Sequence, residues 1–544
     1  MVLTIAAAAA RSRPRVAGDR LVLACGIGLG VLCAALAATI LGAPLRHDEQ
    51  MFVSTGLLFG QGALYRDFGF NHLPNLPILL NAVAHLTDFW RPLLVYRCVI
   101  LLAWLATGWL LAYLARKETG SPLAAMFVVL LLVANPLLGG QAGTLVTNNF
   151  MPMPFALAGL ALYLGEATRA EIRPIRIALA GALLAVAVGM KANYVLLIPP
   201  FAVAAICAPA SLPLAMRLKR LALPLLIGAA IGGAPTLYAF AADPAGFIDH
   251  VVGYHRGPHL AWALTSRESL VISLHDRIAL SISVWGAGPT LLLAASVVAV
   301  AVQLASRGWR PDWRVLLVLG LVATGIAVAF LPRPSFPQYF APPLPFLLVL
   351  LILLIGRQTD AERRSMMPVF AAAAGLTIVL AAPPLLARLP LLARPAAWTG
   401  NVVHDTAVAV AAAAHGRPVA TLAPIYALDG GAAVYPELAV GPFVYRVADL
   451  IAPDHRRFWR TVSASTLAAR LDAQPPGAIL VGAEGELDDA FRAYAASRGY
   501  RRASLPNAAT RYGELQLYVP ASASISQPPP IRAATSSRSS ALSL

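Results

Sequence analysis

The sequence predicts a mainly α protein: a polytopic membrane helix bundle of about eleven spans, followed by a small C-terminal α/β domain on the outer side. Three observations carry this reading. The 544 residues are 58% hydrophobic and 12% charged, against about a quarter charged in a soluble domain. The apolar runs are long enough to cross the ~30 Å hydrocarbon core of a bilayer as helices. From about residue 395 the composition turns soluble-like.

Residues 1–20 carry Arg11, Arg13, Arg15 and Arg20 and read as a cytoplasmic basic segment. The uncharged stretch 21–45 is too long for the apolar core of a cleaved signal, so it reads as a retained signal-anchor and the first span. Span two is about 92–115. The uncharged region 121–165 is broken by Asn135-Pro136, the glycines at 139–143 and Asn148-Asn149, giving two helices. Spans at about 175–190 and 193–210 meet at Lys191, and further spans fall at 221–242, 278–306, 315–332, 338–356 and 366–387. The connections at 116–118, 169–176, 217–220, 307–314 and 357–364 are basic, and all fall on one side if the N-terminus is inside. That topology turns Asp48-Glu49, the 139–149 loop, the Lys191 turn, the loop 243–276 and the segment 333–339 outward. The Ala/Arg-rich composition reads as that of a high-GC bacterium, hence a multi-pass inner membrane protein with its 395–520 domain in the periplasm.

In that outer domain PVATLAP, GAILVG and LQLYVP read as short buried strands, while His455–Ala473 and LDDAFRAYAASRGY read as helices. Alternating strands and helices define a small α/β domain ending near Pro520. The Ser-, Pro- and Ala-rich tail 521–544 has the composition of a disordered segment. With no G-x-G-x-x-G after a strand and no P-loop, the domain is expected to dock or recognise without chemistry of its own.

The net charge of +16 does not point to nucleic acid, because the basic residues sit in short clusters between spans, not on one face. Cys25, Cys33, Cys98 and Cys207 all lie in apolar spans, which excludes a disulfide framework in the outer domain. His250, His255, His259 and His275 are loosely spaced, with no acid partner set with them on one helix, so a solvated loop or a substrate contact is expected ahead of a zinc site.

The chemistry is expected in the outer loop 46–91. Asp48-Glu49 closely follows the first span. QMFVSTGLLFGQG then sets Met51, Thr55, Leu58 and Phe59 on one helical face, as for a helix lying in the membrane interface. Pro74 and Pro77 can start a second helix, NLPILLNAVAHL. The acidic pair, the G-x-x-Y-R-D-F run from Gly62 to Phe68, the Pro-x-x-Pro helix and Arg97 early in span two together resemble the GT-C glycosyltransferases, of the protein-mannosyltransferase and aminoarabinose-transferase types. GALLAVAVGMKANYVLLIPP, with Lys191, and PQYFAPPLPFLLVLL, with Tyr339, resemble further segments of that family, and the likeness covers about residues 20–390. One departure is Asn148-Asn149, where many relatives carry a second acid. A divalent metal is therefore disfavoured, and no cofactor is firmly implied.

The resemblance implies a polyprenyl-phosphate sugar donor and a lipid, glycan or protein acceptor. It makes Asp48 the catalytic base, with Glu49 orienting it or binding the acceptor. Lys191, Arg256, Arg333 and Tyr339 are candidates for the donor phosphate. Tyr65, Arg66, Asp67, His72 and Arg97 are candidates for substrate contact, although Arg66-Asp67 also suits a loop-internal ion pair and Arg97 a snorkelling anchor. The competing classes are a secondary transporter, which would place charges near the midplane between repeats, and a non-catalytic scaffold with an outer domain.

Overall fold

Proline and glycine punctuation sets where the helices begin and end. Pro92, Pro122, Pro152 and Pro174 open helices Pro92–Thr119, Pro122–Val133, Pro152–Ala167 and Pro174–Met190, where the missing N–H has no intrahelical partner to lose. Gly120 closes the first of these in the left-handed region (φ 69°), and the Ser121 side chain accepts from Ala124 N–H to start the next. The structure is a computed structural model describing residues 2–266, 270–506 and 509–521; the expected tail beyond residue 521 lies outside the described residues.

Every apolar run that reads as a span is helical: Asp19–Gly42, Pro92–Thr119, Pro122–Val133, Pro152–Ala167, Pro174–Met190, Ala192–Cys207, Leu214–Gly232 continuing bent into Ala234–Ala242, Gly288–Ser306, Trp313–Ala329, Pro337–Arg357 and Asp360–Ala393. By length and apolar content alone, five of these helices reach a full membrane crossing, or six with the bent pair, and most of the rest are shorter apolar helices. The run expected at 278–306 divides at Gly286-Ala287 into helices Leu274–Trp285 and Gly288–Ser306. Helices Pro174–Met190 and Leu223–Gly232 approach most intimately at Gly228 and Gly232. A Cβ at either position would drive into the facing backbone of Ala178 or Ala182, the close approach that a small-xxx-small spacing permits.

The C-terminal region carries a four-stranded mixed sheet. Val419–Thr421 pairs parallel with Ala478–Val481, which pairs antiparallel with Gln516–Val519, which pairs antiparallel with Arg501–Ala503. The helix expected over 455–473 is two, Pro453–Trp459 and Leu467–Ala473, because Arg460 turns left-handed (φ 43°) between them. This region is seated directly on the bundle, and one hydrophobic core runs from Leu32 to Val519. The Asp429 carboxylate accepts the Leu93 N–H at 3.1 Å, satisfying an orphan donor at the start of helix Pro92–Thr119. Thr399 Oγ1 donates to the Ala43 carbonyl at 2.7 Å.

The helix after the first span, His47–Leu58, departs from the interfacial reading. Residues 49–57 are all buried, so it is not amphipathic on one side. It is enclosed between helix Asn75–Leu86 and the C-terminal region.

Candidate active site

A cavity of about 930 Å³ lies where the bundle meets the C-terminal region. Its lining draws on each loop expected to face outward: Arg46, His47, Asp48 and His72 from the first, Leu145, Asn148 and Asn149 from the second, then Lys191, then Tyr254, His255 and His259, then Gln338 and Tyr339. The C-terminal region adds Phe443, Arg446, Glu484, Arg511 and Tyr512.

Two adjacent carboxylates take opposite roles. Asp48 sits in the first turn of helix His47–Leu58, about a third exposed (34%), and lines the cavity. Glu49, one residue on, is rotated ~100° around the helix into the core. Its Oε2 accepts from Arg97 Nη2 at 2.7 Å and its Oε1 from Arg97 Nε at 3.0 Å, with the Val146 N–H also donating to Oε1 at 3.1 Å. Both partners are fully buried. Arg97 Nη1 further donates to the carbonyls of Ile40, Leu41 and Ala43, closing off the end of the first span. Acceptor contact by Glu49 and snorkelling or substrate contact by Arg97 do not fit this burial: the pair is a fork-to-fork clasp that ties helix His47–Leu58 to the second span, and the carbonyl contacts of Arg97 add the end of the first.

Lys191 stands in extended backbone between helix Pro174–Met190 and the tight turn Ala192–Leu197, 4% exposed. Its Nζ donates to Asn149 Oδ1 at 2.5 Å and lies 5.3 Å from the Tyr339 ring centroid. Burial lowers its pKa to about 8, with the Asp48 charge pulling the other way. Asn149 thus occupies the position where an acid was missed in the sequence, and it serves the lysine. Among the described residues no group of three or more His, Cys, Asp or Glu could hold a metal ion.

The histidines form an aromatic wall. His72 lies 5.6 Å from His255, ring to ring, and Tyr254 stacks on His259 at 5.1 Å. Burial depresses all three, His259 to about 3, so they line the cavity as neutral rings. His250 is buried under Trp459 instead.

Of the other expected residues, Arg256 and Arg333 are exposed and outside the lining. Tyr65 is buried, donating to the His72 carbonyl at 2.7 Å. Arg66 and Asp67 pair with one another at 3.1 Å on the surface. The cavity's Arg446, Glu484 and Arg511 were not singled out in the sequence. Arg446 stacks on Trp262 at 3.9 Å and lies 5.1 Å from the Phe443 ring. No local pattern marks these residues, since they reach the site only through the docking of the C-terminal region.

The architecture, a bundle of apolar helices capped by a C-terminal region with a small mixed sheet, is similar in fold to solved membrane-protein structures. The particular structures it resembles are those of ArnT from Cupriavidus metallidurans, one bound to undecaprenyl phosphate and one in the apo state. Each gives a TM-score of 0.59 at 14% identity, covering 92% of this chain and 98% of that one. No family model and no curated protein matches the chain.

Proposed function

We propose that the protein is a membrane glycosyltransferase that moves a sugar from a polyprenyl-phosphate donor to an acceptor hydroxyl at the outer face of the bacterial inner membrane. The observation that supports it is the shared cavity: an accessible carboxylate, Asp48, and a buried ammonium, Lys191, on one wall beside Tyr339. A buried ammonium is costly unless an anion or water compensates it, and a lipid-borne phosphate is such an anion. The similarity in fold to an ArnT structure bound to undecaprenyl phosphate supports the same donor class.

In this reading Asp48 takes the acceptor's hydroxyl proton as the new bond forms from the acceptor oxygen to the anomeric carbon. The bond from that carbon to the phosphate oxygen breaks, and polyprenyl phosphate leaves with its added negative charge held by Lys191. Arg46, Arg446 and Arg511 are the cavity's other cations, and the phosphate role expected of Arg256 and Arg333 passes to this set. Glu49 and Arg97 act only by fixing the helix that carries Asp48. The N-terminus is cytoplasmic, residues 21–390 form the membrane domain, and residues 395–520 form the periplasmic domain. A transporter needs a midplane cavity between repeats; here the cavity is bounded on one side by the C-terminal region.

The test is transfer of radiolabelled sugar by the purified protein from a panel of polyprenyl-phosphate sugars. Transfer from at least one donor is expected, with loss in Asp48→Asn. An inactive panel, with no measurable binding of polyprenyl phosphate, would sink the assignment.

A further inference from the structure

The residue that meets helix His47–Leu58 from above comes from the far end of the chain. Glu484 sits in the turn after strand Ala478–Val481 and is 6% exposed. Gln50 Nε2 donates to its Oε1 at 2.8 Å, and the same nitrogen donates to the Leu422 carbonyl at 3.3 Å. His47 Nδ1 lies 3.8 Å from Glu484 Oε2, while His47 Nε2 lies 3.7 Å from Asp48 Oδ1. The imidazole therefore stands between the two carboxyl groups, its edge against the Phe443 ring at 5.3 Å.

The turn that presents Glu484 is itself fixed. Asp488 Oδ2 accepts the N–H groups of Gly482 at 2.8 Å and of Glu484 at 3.0 Å, and Gly482 and Gly485 adopt positive φ (103° and 63°). A carboxyl group taken out of water this thoroughly costs stability unless it is partnered. Its partners are two of the residues bracketing the catalytic carboxylate.

We propose that Glu484 is a positioning residue of the reaction: it holds Gln50 and His47 on either side of Asp48 and so sets the direction in which that carboxylate faces the cavity. The inference rests on Asp48 as the base. It makes the C-terminal region part of the reaction centre and not only a docking module. Burial raises the Glu484 pKa to about 8, with Arg511, Arg446 and the Gln50 hydrogen bond opposing and Asp488 reinforcing. At neutral pH it is a neutral acid, so a second negative charge is kept away from Asp48 and the leaving phosphate. As pH rises through about 8 it ionises, and turnover should fall.

The experiment uses the full-length protein in nanodiscs, as wild type, Glu484→Ala and Glu484→Gln. For Glu484→Ala, kcat should fall about 10–100-fold with the donor KM within about twofold. For Glu484→Gln, isosteric with the neutral acid, kcat should stay within about threefold, and the alkaline fall in kcat near pH 8 should disappear. Saturating donor keeps Lys191 charged, which separates its titration from this one. A second readout needs no turnover: hydrogen–deuterium exchange of amides 47–52 should rise in Glu484→Ala and not in Glu484→Gln. A Glu484→Ala protein with wild-type kcat, or with unchanged exchange at 47–52, overturns the proposal, as does a loss of donor affinity as large as the loss of kcat. If Asp48→Asn retains activity while exchange at 47–52 still responds to Glu484→Ala, the base assignment fails and the positioning contact stands.

Discussion

The two walls of the cavity are built on different principles. In the wall from the bundle Lys191 is buried and fixed, bound to Asn149 and set over Tyr339 with neutral histidines beside it, while Asp48 stays about a third exposed. The wall from the C-terminal region carries Arg446, Glu486 and Arg511 on turns and one short 3-10 helix, with Glu484 among them held neutral by burial. A charge within an apolar bundle is expensive and so marks a purpose. In the C-terminal wall groups of both kinds neighbour one another, so a charge there marks nothing until its partners are known.

The sharpest way to break this comparison is at Asp48. Asp48→Asn preserves size and hydrogen bonding but removes the base, and transfer should fall by about 10²–10⁴ while the protein folds normally; equal activity in the purified variant would end its role. Next is the clasp beneath it. Arg97→Ala leaves Glu49 charged and unpaired in the core and should cost about 3–5 kcal/mol, read as a lower thermal midpoint in detergent. A midpoint unchanged from wild type would show that the pair does not hold helix His47–Leu58 to the second span.

Lys191→Ala should weaken polyprenyl-phosphate binding by about 10–100-fold, with a smaller effect on acceptor binding. The pH dependence sharpens this. Below about 8 the free protein already carries the Lys191 charge. Above that pH, binding must first restore the proton, so donor affinity should decline as pH rises, and Lys191→Ala should remove this dependence. The smallest effect is expected outside the cavity, where Arg256→Ala and Arg333→Ala should leave donor affinity within about twofold. A large loss from either would bring a surface arginine back into the phosphate site.

The same contrast explains what could be read in advance. The membrane helices were legible because an apolar run long enough to span is rare by chance and Pro, Gly and Asn mark its breaks. Lys191 was legible because nothing around it in sequence excused its presence. Three strands of the sheet were visible as short apolar runs, but the left-handed turn at Arg460 that divides 455–473 carries no such mark. The pairing of Glu49 with Arg97 had a usable signal, an acid just past one span and an arginine just inside the next, but not a decisive one. Glu484 had none. Its meaning lies in Gln50 and His47, hundreds of positions away.

That separation governs when the protein can begin to work. The bond from Gln50 to Glu484 joins residues 434 positions apart. The segment carrying Asp48 leaves the ribosome well before its clamp. Long-range contacts form late in folding because the intervening chain must first be ordered, and chains are made from the N-terminus onward. An unfinished chain therefore has its membrane helices and its lysine before it has an aligned carboxylate. Under the proposed function, a chain that has not yet made Glu484 would hold Asp48 without the contact that orients it.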